Sequence, residues 1–297
     1  VDRRFHTVLG AHVHRRFVQA AMMPVTTEEV GLAPARSQDP ENSVRLLIEQ
    51  TLLQTKRLLI RWARDYVTVV GAIVLPILFM VVLNIVLGNL AYAVTHDSGL
   101  YSIVPLISIG AAITGSTFVA IDLMRERSMG LLSRLWVVPV HRASGLIARI
   151  LANAIRTLFT TLVMLGTGVV LGFRFRQGMI ASLMWVSVPV ILGIAIAAIV
   201  TTVALYTAQT VVVEGVELVQ AIAIFFSTGL VPLNSYPSWI QPVVAHQPVS
   251  YAIAAMRGYA MGGPVLSPMI GMLLWTIGIC VACAVPMAIG YRRASTH

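Results

Sequence analysis

Tyr66 to His96 reads YVTVVGAIVLPILFMVVLNIVLGNLAYAVTH, thirty-one residues without one Asp, Glu, Lys or Arg. A helix needs about 20 apolar residues to cross the hydrocarbon core of a bilayer, so this run is long enough with turns to spare. It has no polar face with which a soluble helix could meet water. The rest of the 297-residue chain agrees: hydrophobic residues make up 57% and charged residues 11%, against about 25% charged in an ordinary soluble domain. So little charge cannot cover a water-exposed surface. A soluble enzyme, a secreted disulfide scaffold and a disordered adaptor are excluded, and the reading is an all-α integral membrane protein.

Working outward, Tyr66–His96 supplies a first span near 67–90. Asp97 to Gly99 forms a short loop, and Leu100–Ile121 supplies the second span. Seventeen uncharged residues between Arg156 and Arg174 hold the core of a third, with Arg156 expected to snorkel to the interface. Arg176 and Glu214 enclose 37 uncharged residues, giving a fourth span near 180–204. A fifth is expected at about 217–231 and a sixth at about 268–291. The stretch between the last two carries Pro232, Pro237, Pro242 and Pro248, too many for a straight spanning helix. With Trp239, Tyr236 and Tyr251 suited to an interface, it reads as short re-entrant or surface helices over 232–257. Cys280 and Cys283 lie in the last apolar run and read as small packing residues.

Before the first span, residues 1–42 read as a disordered arm. His12 and His14 alone make a weak metal pair, and Pro24–Ser43 is a polar, proline-bearing tether. Residues 43–65 have helical periodicity, with Val44, Leu47, Ile48, Leu52, Leu58, Leu59 and Trp62 on one side and Arg45, Glu49, Lys56, Arg57, Arg61 and Arg64 on the other. A basic amphipathic helix next to a span is expected to lie in the headgroup plane.

The net charge of +9 does not signal nucleic acid, because it follows the spans. With both termini inside, ten basic residues precede the first span, six lie from Arg125 to Arg156 and two end the chain, leaving Arg174, Arg176 and Arg257 outside. That satisfies the positive-inside rule, so six spans with both termini cytoplasmic in the cell membrane are expected. No phosphate-binding G-x-x-x-x-G-K-[ST] run, nucleophile grouping or metal cluster stands out, so the chain is read as no enzyme by itself. Glu214 and Glu217, placed in a turn between spans four and five, are the candidates for a proton relay. A solvated turn or contact with a partner is the blander reading.

The loop at 122–142 is the most informative segment: DLMRERSMGLLSRLWVVPVHR. Leu131, Leu132, Leu135 and Trp136 form one face of a short helix that Pro139 ends, a peg for a cytoplasmic partner. Glu126-Arg127-x-x-Gly130-x-Leu132-x-Arg134-Leu135-x-x-x-Pro139 resembles the cytoplasmic motif of ABC-2 type transporter permeases. Gly229-Leu-Val-Pro232 through Pro237, Trp239 and Pro242, continuing to Pro248, Tyr251 and Arg257, resembles that family's proline-rich element before the last span. The likeness covers about 43–293. It extends to daunorubicin-resistance-type exporters, including mycobacterial C-type permeases linked to phthiocerol dimycocerosate export. Where many relatives carry an acidic residue shortly before the arginine matching Arg257, this chain has Ala254.

The resemblance implies a permease half of an ATP-driven exporter of the type V architecture. Asp122, Arg125, Glu126, Arg127, Gly130, Leu132, Arg134, Leu135 and Pro139 would couple it to an ATPase, and Arg57, Arg61, Trp62 and Arg64 on the interfacial helix would give a second contact. Two copies of an ATP-binding subunit would hold ATP and Mg, with no cofactor bound by this chain. A second six-span permease is implied, a heterodimer being favoured over a homodimer. The cargo implied is an amphipathic lipid or a hydrophobic drug such as an anthracycline. An ion-coupled secondary transporter, dependent on Glu214 and Glu217, and a non-transporting membrane assembly subunit are the alternatives.

Overall fold

A computed structural model describes residues 44–95, 99–128, 144–207 and 210–296. The arm and tether expected at 1–42 lie outside the described residues. Among those described there is no strand. The helices are α1 (Val44–Arg64), α2 (Tyr66–Thr95), α3 (Leu100–Ser128), α4 (Ser144–Val170), α5 (Met179–Tyr206), α6 (Thr210–Phe225), α7 (Gln241–His246), α8 (Pro248–Met261) and α9 (Leu266–Thr296), with a 3₁₀ turn at Leu233–Ser235.

Five helices, α2, α3, α4, α5 and α9, are long and apolar enough to cross a membrane. They fall where the first four spans and the last were expected. The expected fifth span is different: α6 starts at Thr210 and stops at Phe225, sixteen residues. At 1.5 Å per residue that is about 24 Å, short of the roughly 30 Å hydrocarbon core. The chain turns just after it, where Ser227 Oγ donates to the Ile224 carbonyl at 2.6 Å. There Gly229 sits so close to Leu106 and Ile253 that a Cβ would lie 2.8–2.9 Å from them. Glu214 and Glu217 are therefore inside a helix, not in a turn.

The core lies between α3 and α5. Val104, Ile109, Ile113 and Leu123 pack with Trp185, Val188 and Leu192, all fully or almost fully buried. α2 and α9 are peripheral, leaving Val70, Val74, Leu78, Val82, Leu274, Ile277, Val281 and Val285 exposed, an apolar surface that suits lipid or another membrane helix. At one end of the bundle Gly172, at φ 110°, turns the chain from α4 toward α5. Phe173 follows it into a cluster with Tyr101, Phe175 and Trp185.

The proline-rich element is a 3₁₀ turn followed by two short helices. Pro232 caps the 3₁₀ turn, Pro242 stands in the first turn of α7 and Pro248 opens α8, where a missing N–H costs nothing. α8 is buried through Ile253 and Met256, whereas Trp239 remains exposed. Tyr251 lies flat against α9 at Gly271, where a Cβ would meet the ring at 2.8 Å.

α1 docks through the middle of the side on which its apolar residues were expected. Thr51, Thr55 and Leu58 are buried, and with Trp62 they make an i, i+4, i+7, i+11 stripe that docks on α4. Leu58 packs on Ala148 and Ala152, Gln54 Nε2 donates to Ser144 Oγ at 3.1 Å, and Trp62 meets Phe159 edge-on at 5.9 Å. Ile48, Leu52, Leu53 and Ile60 stay exposed, free to enter the membrane interface. Asp65 breaks α1 from α2 and caps the latter: Thr68 Oγ1 donates to it at 2.7 Å and the Thr68 amide at 3.3 Å.

Candidate functional site

Three helices end or begin at one pole of the bundle, and each presents charges at helical spacing. α3 carries Asp122 and Glu126 in its last turns, four residues apart and so on one face. α1 carries Arg57 and Arg61, also four apart. α4 carries Arg149 and Arg156, two turns apart on its buried face. They meet. Arg149 Nη2 is hydrogen-bonded to Glu126 Oε2, Arg61 Nη1 donates to Glu126 Oε1 at 3.3 Å, and Arg57 Nη2 stands 3.9 Å from the same oxygen. Asp122 takes Arg61 at 4.0 Å and Arg156 at 3.8 Å.

Glu126, Arg149 and Arg156 are only 4%, 5% and 6% exposed. Each is therefore stripped of most of its water, a cost that is recovered only while opposite charges and hydrogen bonds remain in place. The snorkelling expected of Arg156 does not occur. A partner on another helix, Asp122, holds it inside the bundle, an attraction that sequence distance conceals. Four guanidinium groups face two carboxylates, so the cluster keeps a positive excess, and the Nε atoms of Arg149 and Arg156 have no partner among the described residues.

Between Arg149 and Arg156 on α4 a neutral layer adds to the tie. Asn153 Nδ2 donates to Ser116 Oγ at 3.1 Å and to the Gly193 carbonyl at 3.2 Å, joining α4 to α3 and α5. Gly193 makes this possible: a Cβ there would stand 3.2 Å from Thr157 Oγ1. Thr157, Thr160 and Thr161 carry the buried polar stripe of α4 further.

On another side of α3 runs an open groove of about 660 Å³. α2 forms one wall with Gly71, Leu75 and Phe79, α3 the floor with Gly110, Thr114 and Phe118, and α6 the other wall with Ala221, Ile224 and Phe225. Apart from threonine hydroxyls the lining is apolar.

The sequence profile of the ABC-2 type transporter family matches residues 49–261, from the first turns of α1 to the last residue of α8. The chain belongs to the ABC-2 type transporter family. It is 85% identical, over 276 residues covering 93% of this chain and all of the relative, to the probable doxorubicin resistance ABC transporter permease protein DrrC of Mycobacterium tuberculosis. The putative transport permease ycf38 of Cyanophora paradoxa is 25% identical over 228 residues, 74% of this chain and 78% of that one. The daunorubicin resistance ABC transporter permease protein DrrB1 of Streptomyces coeruleorubidus is 20% identical over 252 residues, 84% and 88% of the two chains.

Within this ABC-2 chain the expected site residues divide into three groups. Asp122, Glu126, Arg57 and Arg61 are brought together in the ionic cluster, where Glu126 faces inward instead of outward to a partner. Arg64 is exposed, as is Arg125, whose charge reaches Asp65. Arg127 is helical, while Gly130, Leu132, Arg134, Leu135 and Pro139, with the whole expected peg, lie outside the described residues. Pro232, Pro237, Trp239, Pro242, Pro248, Tyr251 and Arg257 gather at the opposite pole from the cluster, in the element before α9. Sequence reasoning missed Arg149, Arg156, Asn153 and Gly193. The signal was present in the charged pairs of α1, α3 and α4, each at one-face spacing.

Proposed function

We propose that this chain is the permease subunit of an ATP-driven exporter, with ATP and Mg bound by a separate ATP-binding subunit present in two copies. The observation that carries the reading is the ionic cluster, considered with the full-length likeness to a doxorubicin resistance permease. Glu126 lies two residues before the end of α3 and Arg149 in the second turn of α4. Their pair joins the two stems of the 129–143 segment, and Arg57 and Arg61 tie the interfacial helix to the same point. A push delivered to that segment by a closing ATPase is thus passed to α1, α3 and α4 together. The Asn153 layer hands it on to α5. In this reading Arg125, Arg127, Arg134 and the 130–139 peg meet the ATPase, and Glu126 acts behind them as a positioning residue.

The arginine distribution supports placing the cluster and both termini in the cytoplasm and the proline-rich element outside. The apolar groove supports a hydrophobic cargo, either a drug such as an anthracycline or a lipid of phthiocerol dimycocerosate type. A second permease, different from this one, would complete the membrane unit. The test is native mass spectrometry of the gently solubilised, tagged chain from its own host. Two ATP-binding subunits and a second six-span protein are expected; a chain that never carries a nucleotide-binding partner, even after cross-linking in intact membranes, refutes the proposal.

A further inference from the structure

The ionic cluster is not balanced by its own carboxylates. Asp122 and Glu126 are shared among four arginines, and only Arg149 and Arg61 reach a carboxylate oxygen at hydrogen-bond distance. Arg57 and Arg156 stop at 3.9 and 3.8 Å. Arg149 and Arg156 are more than nine-tenths buried, yet Nε and Nη1 of each have no hydrogen-bond partner among the described residues. Buried cations in this state are costly until an anion completes them.

The neighbouring chain does not supply that anion. The stretch 129–143 contains no Asp or Glu and adds Arg134 and Arg142. Glu49 is taken by Arg45 and Asp65 by Thr68. Glu214 and Glu217 belong to α6, which packs on α3 and α5.

The character of the missing anion is read from α1. Arg57 is the exposed member of the cluster. It stands four residues after Leu53, three before Ile60 and seven before Arg64, so the four share one stripe, with Lys56 beside them. All five are exposed, and Lys56 and Arg64 have no ion pair among the described residues. Arg57 therefore has apolar neighbours on both sides and an unbalanced positive charge behind it. A free phosphate would answer the charge and leave Leu53 and Ile60 in water. A phospholipid answers both, because its headgroup meets the guanidinium groups while those two side chains enter the acyl boundary. Anionic lipids are enriched in the cytoplasmic leaflet, the side on which the arginine distribution puts this pole.

We infer that the junction of α1, α3 and α4 holds the headgroup of an anionic phospholipid, with Arg57 as its first contact, Lys56 and Arg64 beside it and the uncompensated charge of Arg149 and Arg156 behind it. The lipid is a resident ligand and not the cargo. The site requires this pole to lie at a membrane interface and does not depend on the exporter reading.

The test is native mass spectrometry of the assembled complex, titrated in micelles with phosphatidylglycerol and with phosphatidylcholine of the same acyl chains. Phosphatidylglycerol is expected to bind about tenfold more tightly. Arg57→Gln should weaken it about tenfold, the loss of one hydrogen bond between charged groups, and leave phosphatidylcholine unchanged. Arg57 is exposed, so its variants are expected to fold. Arg57→Lys should keep most of the preference, and Arg45→Gln, on the same helix but already paired with Glu49, should keep all of it. Equal binding of the two lipids would overturn the inference. So would an equal effect of Arg45→Gln and Arg57→Gln, which would reduce the site to a diffuse positive surface. Displacement of phosphatidylglycerol by inorganic phosphate at the same concentration would assign the charge to a soluble anion. Loss of the ATP-binding subunit from Arg57→Gln complexes, with lipid binding unchanged, would assign it to a protein contact; either result refutes the lipid site. A complex that selects phosphatidylglycerol but moves nothing with ATP refutes the exporter and supports the site.

Discussion

Removing Glu126 should be among the most damaging single changes at the cluster. In Glu126→Ala the buried Arg149 loses its hydrogen-bonded carboxylate, and Arg61 and Arg57 lose contacts at 3.3 and 3.9 Å. The last two reach partly exposed arginines and are worth at most about 1 kcal/mol each. Stranding one member of a buried pair costs about 3–5 kcal/mol, and that term decides the outcome. Asp122 cannot compensate, because it already serves Arg61 and Arg156. Arg149→Ala should cost a similar amount for the mirror-image reason. The double variant leaves no stranded charge of this pair, so it should be far less destabilised than the two singles added together, with a coupling of about 2 kcal/mol or more. The assay is equilibrium unfolding in mixed micelles, titrated with SDS and followed by circular dichroism. A cost below about 1 kcal/mol for Glu126→Ala, or strict additivity in the double variant, would refute the reasoning.

Four further outcomes are expected. Gly193→Val, whose side chain would enter the space held by Thr157, should cost about 1–3 kcal/mol by overpacking, and Asn153→Ala about the same by losing two buried hydrogen bonds; both are read in the same unfolding assay. The Thr68 hydroxyl first, then its amide, then the charge of Arg125 hold the Asp65 carboxyl below its ordinary value. The cap on α2 is therefore intact above the usual carboxylate range and is lost as pH falls through that lowered value, and hydrogen exchange at Val67–Val69 should rise on acidification in the wild type and much less in Asp65→Asn. Ser238→Cys should be labelled by an impermeant thiol reagent from outside intact cells and Arg45→Cys only after permeabilisation; the reverse pattern would overturn the orientation.

Much of the fold was legible because membrane spans depend on local composition. Uncharged runs between arginines located five long helices, and the α1 limits, expected at 43–65, are 44–64. The proline-rich stretch reads as short helices because proline at a helix start has a local meaning. Three features were not legible for non-local reasons. Arg156 is buried because Asp122, on another helix, faces it; the helix of Arg156 alone gives no hint of that. α6 runs through Glu214 and Glu217 because carboxylates interrupt hydropathy without interrupting a helix. The docking stripe of α1 is built from Thr51 and Thr55, residues that apolar periodicity ignores, and its receptor is the small-residue surface of Ala148 and Ala152. Of the ionic cluster, Asp122 and Glu126 on α3 and Arg57 and Arg61 on α1 were singled out in the sequence as contacts for an ATPase and not as partners of one another, and the α4 arginines were not singled out.

The claim that ATP hydrolysis drives a hydrophobic cargo through this chain is tested most directly in inverted membrane vesicles containing the assembled complex. A fluorescent anthracycline should accumulate only with hydrolysable ATP, should stop with vanadate, and should be indifferent to an uncoupler that collapses the proton gradient. Accumulation that needs no ATP and disappears with the uncoupler would contradict the account and leave Glu214 and Glu217 as the coupling groups of a secondary transporter.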